Sequence, residues 1–118
     1  NDMREVWKRI DAGEQEARDA MDIYLHRLVK YVGAYTAVMG GLDVLTFTAG
    51  IGENDDRVRA ELCGRLAHMG IRFDAGANAV RAREPLTIST PESSVTVMVV
   101  PTNEELSIAR QARPTHMR

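Results

Sequence analysis

Two short runs of β-forming residues each end in a turn that opens a helix, and this arrangement constrains the fold more than any other feature. The first run is Val44-Leu45-Thr46-Phe47-Thr48, followed by the glycine turn Ala49-Gly50-Ile51-Gly52 and an expected helix from Asp55 to His68. The second is Val95 to Val100, broken by Pro101, with an expected helix from Thr102 to Ala112. Neither run alternates cleanly between polar and apolar residues, which is the pattern of buried strands paired in parallel. Strand–turn–helix units of this kind predict an α/β fold with at least two parallel strands.

The remaining elements are read from periodicity. Residues 2–12 read as a helix, with Asp2 and Glu5 spaced for a reciprocal capping box, Val6, Trp7 and Ile10 as an apolar stripe, and Gly13 as the stop. From Glu14 to Met39, the residues Met21, Tyr24, Leu25, Leu28, Val32, Tyr35 and Met39 recur at three- and four-residue steps, gathering on one helix face before Gly40-Gly41. Brief strands are expected at 71–73 and 86–89, with 74–84 as loop. The expected order is α-α-β-α-(β)-β-α.

The charge balance, 15 Lys and Arg against 17 Asp and Glu for a net charge of −2 over 118 residues, supplies no positive field for a nucleic-acid or membrane-surface binder. No apolar run approaches the roughly 20 residues of a membrane span. Cys63 is the only cysteine, which rules out a disulfide framework or a cysteine zinc site and fits a cytoplasmic setting. The length suits one domain, yet the chain opens at Asn1 without an initiator Met or signal-peptide pattern, so the expectation is a C-terminal piece of a larger enzyme.

Ligands of open α/β sheets bind beyond the carboxyl ends of strands. At the first such end, Gly50 and Gly52 permit a sharp turn and a close backbone approach, and Asn54 is placed to cap the next helix. This is no Walker loop, since it lacks the Gly-Lys-Ser/Thr ending. Glu53, Asp55 and Asp56 would repel a polyphosphate and favour an uncharged part of a nucleotide, ribose or base. A plain strand-to-helix turn explains the same residues about equally well. At the second end, Thr102 and Glu105 are spaced for a capping box, which leaves Glu104 as an uncommitted carboxylate suited to Mg²⁺. The third candidate is Asp2-Met3-Arg4, where the planar guanidinium of Arg4 can stack on a base or pair with an acid. Standing alone, the second and third would read as ordinary capped helix starts. His26 and His68 fall on expected helices as surface or core-edge residues, and Cys63 falls among apolar positions as a core residue.

In order and spacing, Phe-Thr-Ala-Gly-Ile-Gly-Glu-Asn at 47–54 with Val58-Arg59, Pro-Thr-Asn-Glu-Glu-Leu at 101–106 with Ile108-Ala109-Arg110, and Asn-Asp-Met-Arg at 1–4 resemble the C-terminal part of the acetate kinase family. That family lies in the acetate and sugar kinase, heat-shock ATPase and actin superfamily. The resemblance covers essentially the whole of residues 1–118. It implies part of a ribonuclease-H-like (actin-like ATPase) C-terminal domain and reversible phosphoryl transfer from ATP to acetate, giving acetyl phosphate and ADP. It further implies that Gly50, Ile51, Gly52, Glu53 and Asn54 line the adenosine part of the nucleotide. Asp2, Met3 and Arg4 would flank the pocket opposite, and Glu104 would help place Mg²⁺. A homodimer through this domain is implied as well.

Asn1 stands where the family usually has Ser, and Ala49 where many members have Gly. The family's N-terminal domain, the residues that stabilise the transferring phosphoryl group, and three antiparallel strands that normally open the C-terminal domain have no counterpart here. Residues 1–118 alone are therefore expected to be inactive, with no catalytic residue among them. A propionate kinase shares these motifs, and a non-catalytic nucleotide-binding or dimerisation module is the alternative of another class.

Overall fold

The two strand runs lie side by side. In the computed structural model, which describes residues 2–102, β1 (Val44–Thr48) and β3 (Thr96–Val100) are parallel, pairing from Val44 with Thr96 to Thr48 with Val100. The short β2 (Leu86–Thr87) joins the far side of β3 antiparallel, giving a mixed sheet in the order β1-β3-β2. The expected brief strand at 71–73 reduces to one antiparallel bridge between Phe73 and Ser89. Because β1 and β3 run in register, the segments that follow them leave the same end of the sheet.

Two helices precede the sheet. α1 (Met3–Asp11) is capped by Asp2, whose carboxylate accepts the Arg4 backbone N–H at 2.9 Å. Among the described residues the reciprocal half of the expected capping box is absent: the Asp2 carboxylate is held instead by the Arg4 side chain, at 3.1 and 2.9 Å. α2 (Gln15–Met39) ends where the double glycine predicts. Gly40 takes the left-handed conformation at φ 78°, and the Gly41 N–H reaches back to the Thr36 carbonyl, satisfying a carbonyl the helix end leaves free.

A single helical turn, α3 (Gly50–Asn54), follows β1, and α4 (Asp56–Arg65) follows it directly. The expected helix to His68 breaks at Leu66 into a 3₁₀ turn, Ala67–Met69, closed by Gly70 at φ 95°. A further short helix, α5 (Ala75–Asn78), capped by the Asp74 carboxylate, interrupts the stretch expected to be loop. The expected helix from Thr102 to Ala112 falls outside the described residues beyond Thr102.

The core sits where α1, α2 and α4 cover the sheet. Trp7, Met21, Leu25, Phe47, Val58, Leu62, Cys63, Leu66, Val97 and Val99 are buried together. Burial of this kind contributes about 1.5–3 kcal/mol per large apolar side chain. Two expectations about burial fail. In β1 only Phe47 is buried, since among the described residues the strand pairs on one side only. On α2 the apolar stripe is covered through Val32 but not beyond: Tyr35 and Met39 are each 63% exposed. Among the described residues no helix is long and apolar enough to cross a membrane.

Candidate functional site

The glycine turn is strained where the strand hands over to the helix. Ala49 holds φ 60° and ψ 141° and is the only non-glycine residue with positive φ among the described residues. That region is close to glycine-only and costs of order 1–3 kcal/mol. Gly50 follows at φ 46°, and a Cβ placed there would meet no atom within 4 Å. Open space therefore lies beside its backbone, as a close-approaching ligand requires. Gly52 turns inward instead: a Cβ there would lie 3.6 Å from that of Phe47.

Each predicted residue of the turn has a definite position. Ile51 is exposed, and with Gly52 it lines an open apolar groove of about 440 Å³ that also touches Tyr24, Leu28 and Phe47. Glu53 is committed: its Oε1 accepts the Thr102 backbone N–H at 2.8 Å, joining the turn to the segment leaving β3. Asn54 does not cap α4. It ends α3, and its Nδ2 donates to the Gly50 carbonyl at 3.0 Å. The cap is Asp55, whose Oδ1 accepts the Val58 N–H at 2.9 Å. Asn and Asp cap about equally well, so the extra helical turn moves the cap by one residue.

Asp55 also ties in α1. Its carboxylate accepts the Trp7 indole N–H, at 2.9 Å to Oδ2 and 3.1 Å to Oδ1. Arg57 closes the same junction, with its guanidinium 4.2 Å from the Trp7 ring centroid and bonds of 2.9 and 3.0 Å to Asp11. The helix that begins with Asp2, Met3 and Arg4 is thereby anchored to the start of α4. The Arg4 side chain is 91% exposed and bonds to Asp2. That guanidinium holds the Asp2 carboxyl below the usual carboxylate range. Met3 is half-buried against the core.

Two residues that the sequence reading left without a role stand behind the turn. Arg59, 3% exposed, donates to the carbonyls of Gly52 and Glu53 at 3.0 and 2.8 Å. It also donates to Asn78 at the side-chain oxygen (2.7 Å) and the carbonyl (2.9 Å). Burial pushes the Arg59 pKa down from its ordinary value. The signal that could have found this arginine is its position, since Arg59 shares a helix face with Cys63 and Leu66, at steps of four and three. Asn78 carries no comparable signal.

Glu104 lies outside the described residues. Among those described, no group of three His, Cys, Asp or Glu side chains stands close enough to hold a metal ion. His26 and His68 are exposed and Cys63 is buried, as expected.

With this geometry in place, three comparisons locate the chain among known proteins. The acetokinase family model matches residues 1–110. The acetate kinase of Leifsonia xyli subsp. xyli is 54% identical over 111 residues, which cover 94% of this chain and 28% of that protein. The crystal structure of Porphyromonas gingivalis acetate kinase aligns at a TM-score of 0.78 and 48% identity, covering 93% of this chain and 28% of that one. A propionate kinase from Francisella tularensis subsp. tularensis aligns at 0.76 and 38% identity, covering 92% of this chain and 27% of that one. Residues 1–118 therefore span between a quarter and a third of the length of such relatives. With the family model matched over nearly the whole chain, the chain belongs to the acetokinase family.

Proposed function

We propose that the protein carrying this chain is an acetate kinase, transferring a phosphoryl group reversibly between ATP and acetate to give acetyl phosphate and ADP. The family match over residues 1–110, with its motif on an open and strained glycine turn, carries this reading. Residues 1–118 form part of its C-terminal, ribonuclease-H-like domain, and the parallel pair β1–β3 with helices against it suits that fold. The remaining domain supplies the groups that stabilise the transferring phosphoryl group, so residues 1–118 alone do not turn over.

Within this reading the chain binds the nucleoside. The adenosine part rests on the turn from Gly50 to Asn54, with the backbone open at Gly50 and the exposed Ile51 side chain offering apolar contact. Asp2 orients the Arg4 guanidinium, whose plane can stack on a base, and Met3 packs the start of that helix. Glu53 acts through its bond to the Thr102 N–H, which links the nucleotide turn to the segment bearing Glu104. Mg²⁺, when bound, neutralises charge on the phosphates, and Glu104 is the residue assigned to help hold it. The chain's own contribution is positioning, which is most of what phosphoryl transfer requires.

The protein is proposed to be a cytoplasmic homodimer. Exposed apolar residues on α2, among them Tyr31, Tyr35 and Val38, support an interface role for this region. Propionate kinase is the second reading, favoured by the alignment with the Francisella enzyme.

Steady-state assays of the full-length protein test these assignments. Acetate kinase activity predicts kcat/KM for acetate at least about tenfold above that for propionate, a difference of about 1.4 kcal/mol in transition-state binding. The reverse preference establishes the propionate reading. Nucleotide binding or dimerisation with neither activity would leave a non-catalytic module, measured by titration with ADP and by sedimentation.

A further inference from the structure

Arg59 is an arginine where an apolar residue would be expected. It lies on the inward face of α4 and is 3% exposed, yet among the described residues no carboxylate stands within ion-pair distance of it. A buried charge is retained only where its hydrogen-bonding groups are met. Here they are met by four oxygens: the carbonyls of Gly52, Glu53 and Asn78, and the Asn78 side-chain oxygen. Asn78, itself 4% exposed, completes the arrangement by donating its Nδ2 to the Asp56 carbonyl at 2.9 Å.

Two of the carbonyls that accept from Arg59, those of Gly52 and Glu53, belong to the end of α3. A single helical turn leaves its last carbonyls without partners of its own, and a cation at that end also meets the negative end of the peptide dipoles. The same turn begins at Ala49, in a backbone conformation that persists only when its surroundings over-determine it. Arg59 is fixed on the regular helix α4, and Asn78 fixes the guanidinium from behind.

We infer that Arg59 and Asn78 are a pair of positioning residues that hold the nucleotide turn, residues 50–54, in its binding conformation and so set the affinity for the nucleotide. This rests on the kinase reading above. Neither side chain is assigned a contact with substrate. Arg59 acts through the backbone carbonyls of Gly52 and Glu53, and Asn78 acts through Arg59.

The test uses the full-length protein and begins with Asn78→Ala, the milder change, followed by Arg59→Lys, which keeps the charge but cannot serve all four acceptors. KM for ATP is expected to rise by about tenfold or more in Asn78→Ala while KM for acetate and kcat stay within about twofold, the signature of lost binding rather than lost chemistry. Hydrogen exchange in the peptide covering residues 47–56 is expected to quicken, with exchange in α2 unchanged, since the turn loosens locally. Arg59→Lys should lie between wild type and a third variant, Arg59→Met, which removes the charge and every side-chain donor. If Arg59→Met fails to fold, Asn78→Ala and Arg59→Lys still decide.

An unchanged KM for ATP in an active Asn78→Ala enzyme overturns the inference and leaves the kinase reading intact. So does a uniform loss of stability with equal rises in both KM values. Absence of ATP-dependent acyl phosphate formation by the wild type overturns the kinase reading itself, and the inference with it.

Discussion

Asp55 is the most informative single perturbation because one carboxylate serves two elements. Its Oδ1 accepts the Val58 N–H at the start of α4, and both oxygens accept the Trp7 indole N–H from α1. Replacing it with Ala removes an N-cap, worth about 1 kcal/mol. It also orphans an indole N–H on a side chain that is 5% exposed, at about 1–3 kcal/mol. Together these give a loss of about 2–4 kcal/mol, which at a urea m-value of about 2 kcal/mol/M lowers the unfolding midpoint by roughly 1–2 M. Asp55→Asn keeps an acceptor at the Oδ1 position and a competent cap, so it should cost only about 1 kcal/mol. Trp7→Phe isolates the shared bond. In that background Asp55→Ala should lose the cap alone, leaving a coupling energy of about 1–3 kcal/mol in a double-mutant cycle. Urea unfolding followed by circular dichroism measures the wild type and all four variants. Equal losses from Asp55→Ala in the Trp7 and Phe backgrounds would refute the reasoning, because α1 would then not be anchored through this carboxylate.

Other expectations follow from the same packing. The Arg18 guanidinium, 2.6 and 3.1 Å from Glu61, holds the carboxyls of Glu61 and Asp22 below their usual range. A depressed folded-state pKa stabilises above the unfolded value and loses that contribution as pH falls through the folded one. The melting temperature should therefore drop more steeply below about pH 4 in wild type than in Arg18→Met, and parallel pH curves would contradict this. Cys63 is 1% exposed and burial pushes its thiol pKa up to about 11, so alkylation in the folded chain should be at least about 100-fold slower than in urea. Comparable rates would place the thiol outside the core. Ala49→Gly should relieve strain of about 1–3 kcal/mol. It returns about 0.4–1 kcal/mol to the unfolded chain, so the net effect is a rise in the urea midpoint, and a fall would mean that Ala49 is not strained.

Local chemistry was legible where local chemistry decides. The strand at Val44–Thr48 and the end of α2 at Gly40 stand where sequence puts them, because β-branched runs and a left-handed glycine act over a few residues. Asp2 caps α1 as read, but its partner is Arg4 rather than Glu5, since the Arg4 fork reaches a carboxylate two residues away. Exposure of β1 and of the end of α2 was not legible, because it depends on what lies beside the strand and not on periodicity within it. The helical turn at Gly50–Asn54 escaped for a related reason. Gly-Ile-Gly reads as a turn, and the groups that hold it helical, Arg59 and Asn78, stand several residues or more away in the chain.

That last point bears on the ligand proposed for the turn. A five-residue turn does not sustain itself, since helix nucleation is unfavourable. Here three separate tethers reach residues 52–55: Arg59 at the Gly52 and Glu53 carbonyls, the Thr102 N–H at the Glu53 carboxylate, and the Trp7 indole at Asp55. Each tether uses up a polar group of the turn and turns it toward the protein. The Ile51 side chain and the backbone beside Gly50 stay open, with Asn54 and Asp56 exposed nearby. Residues 50–54 include no Lys or Arg, so the turn itself supplies no cation for a phosphate. The uncharged end of a nucleotide, proposed above as the occupant, would gain instead from apolar contact at Ile51 and close backbone approach at Gly50. Two of the acidic residues that the sequence offers as a reason to exclude phosphate, Glu53 and Asp55, thus also act as structural fastenings, while Asp56 stays exposed beside the turn.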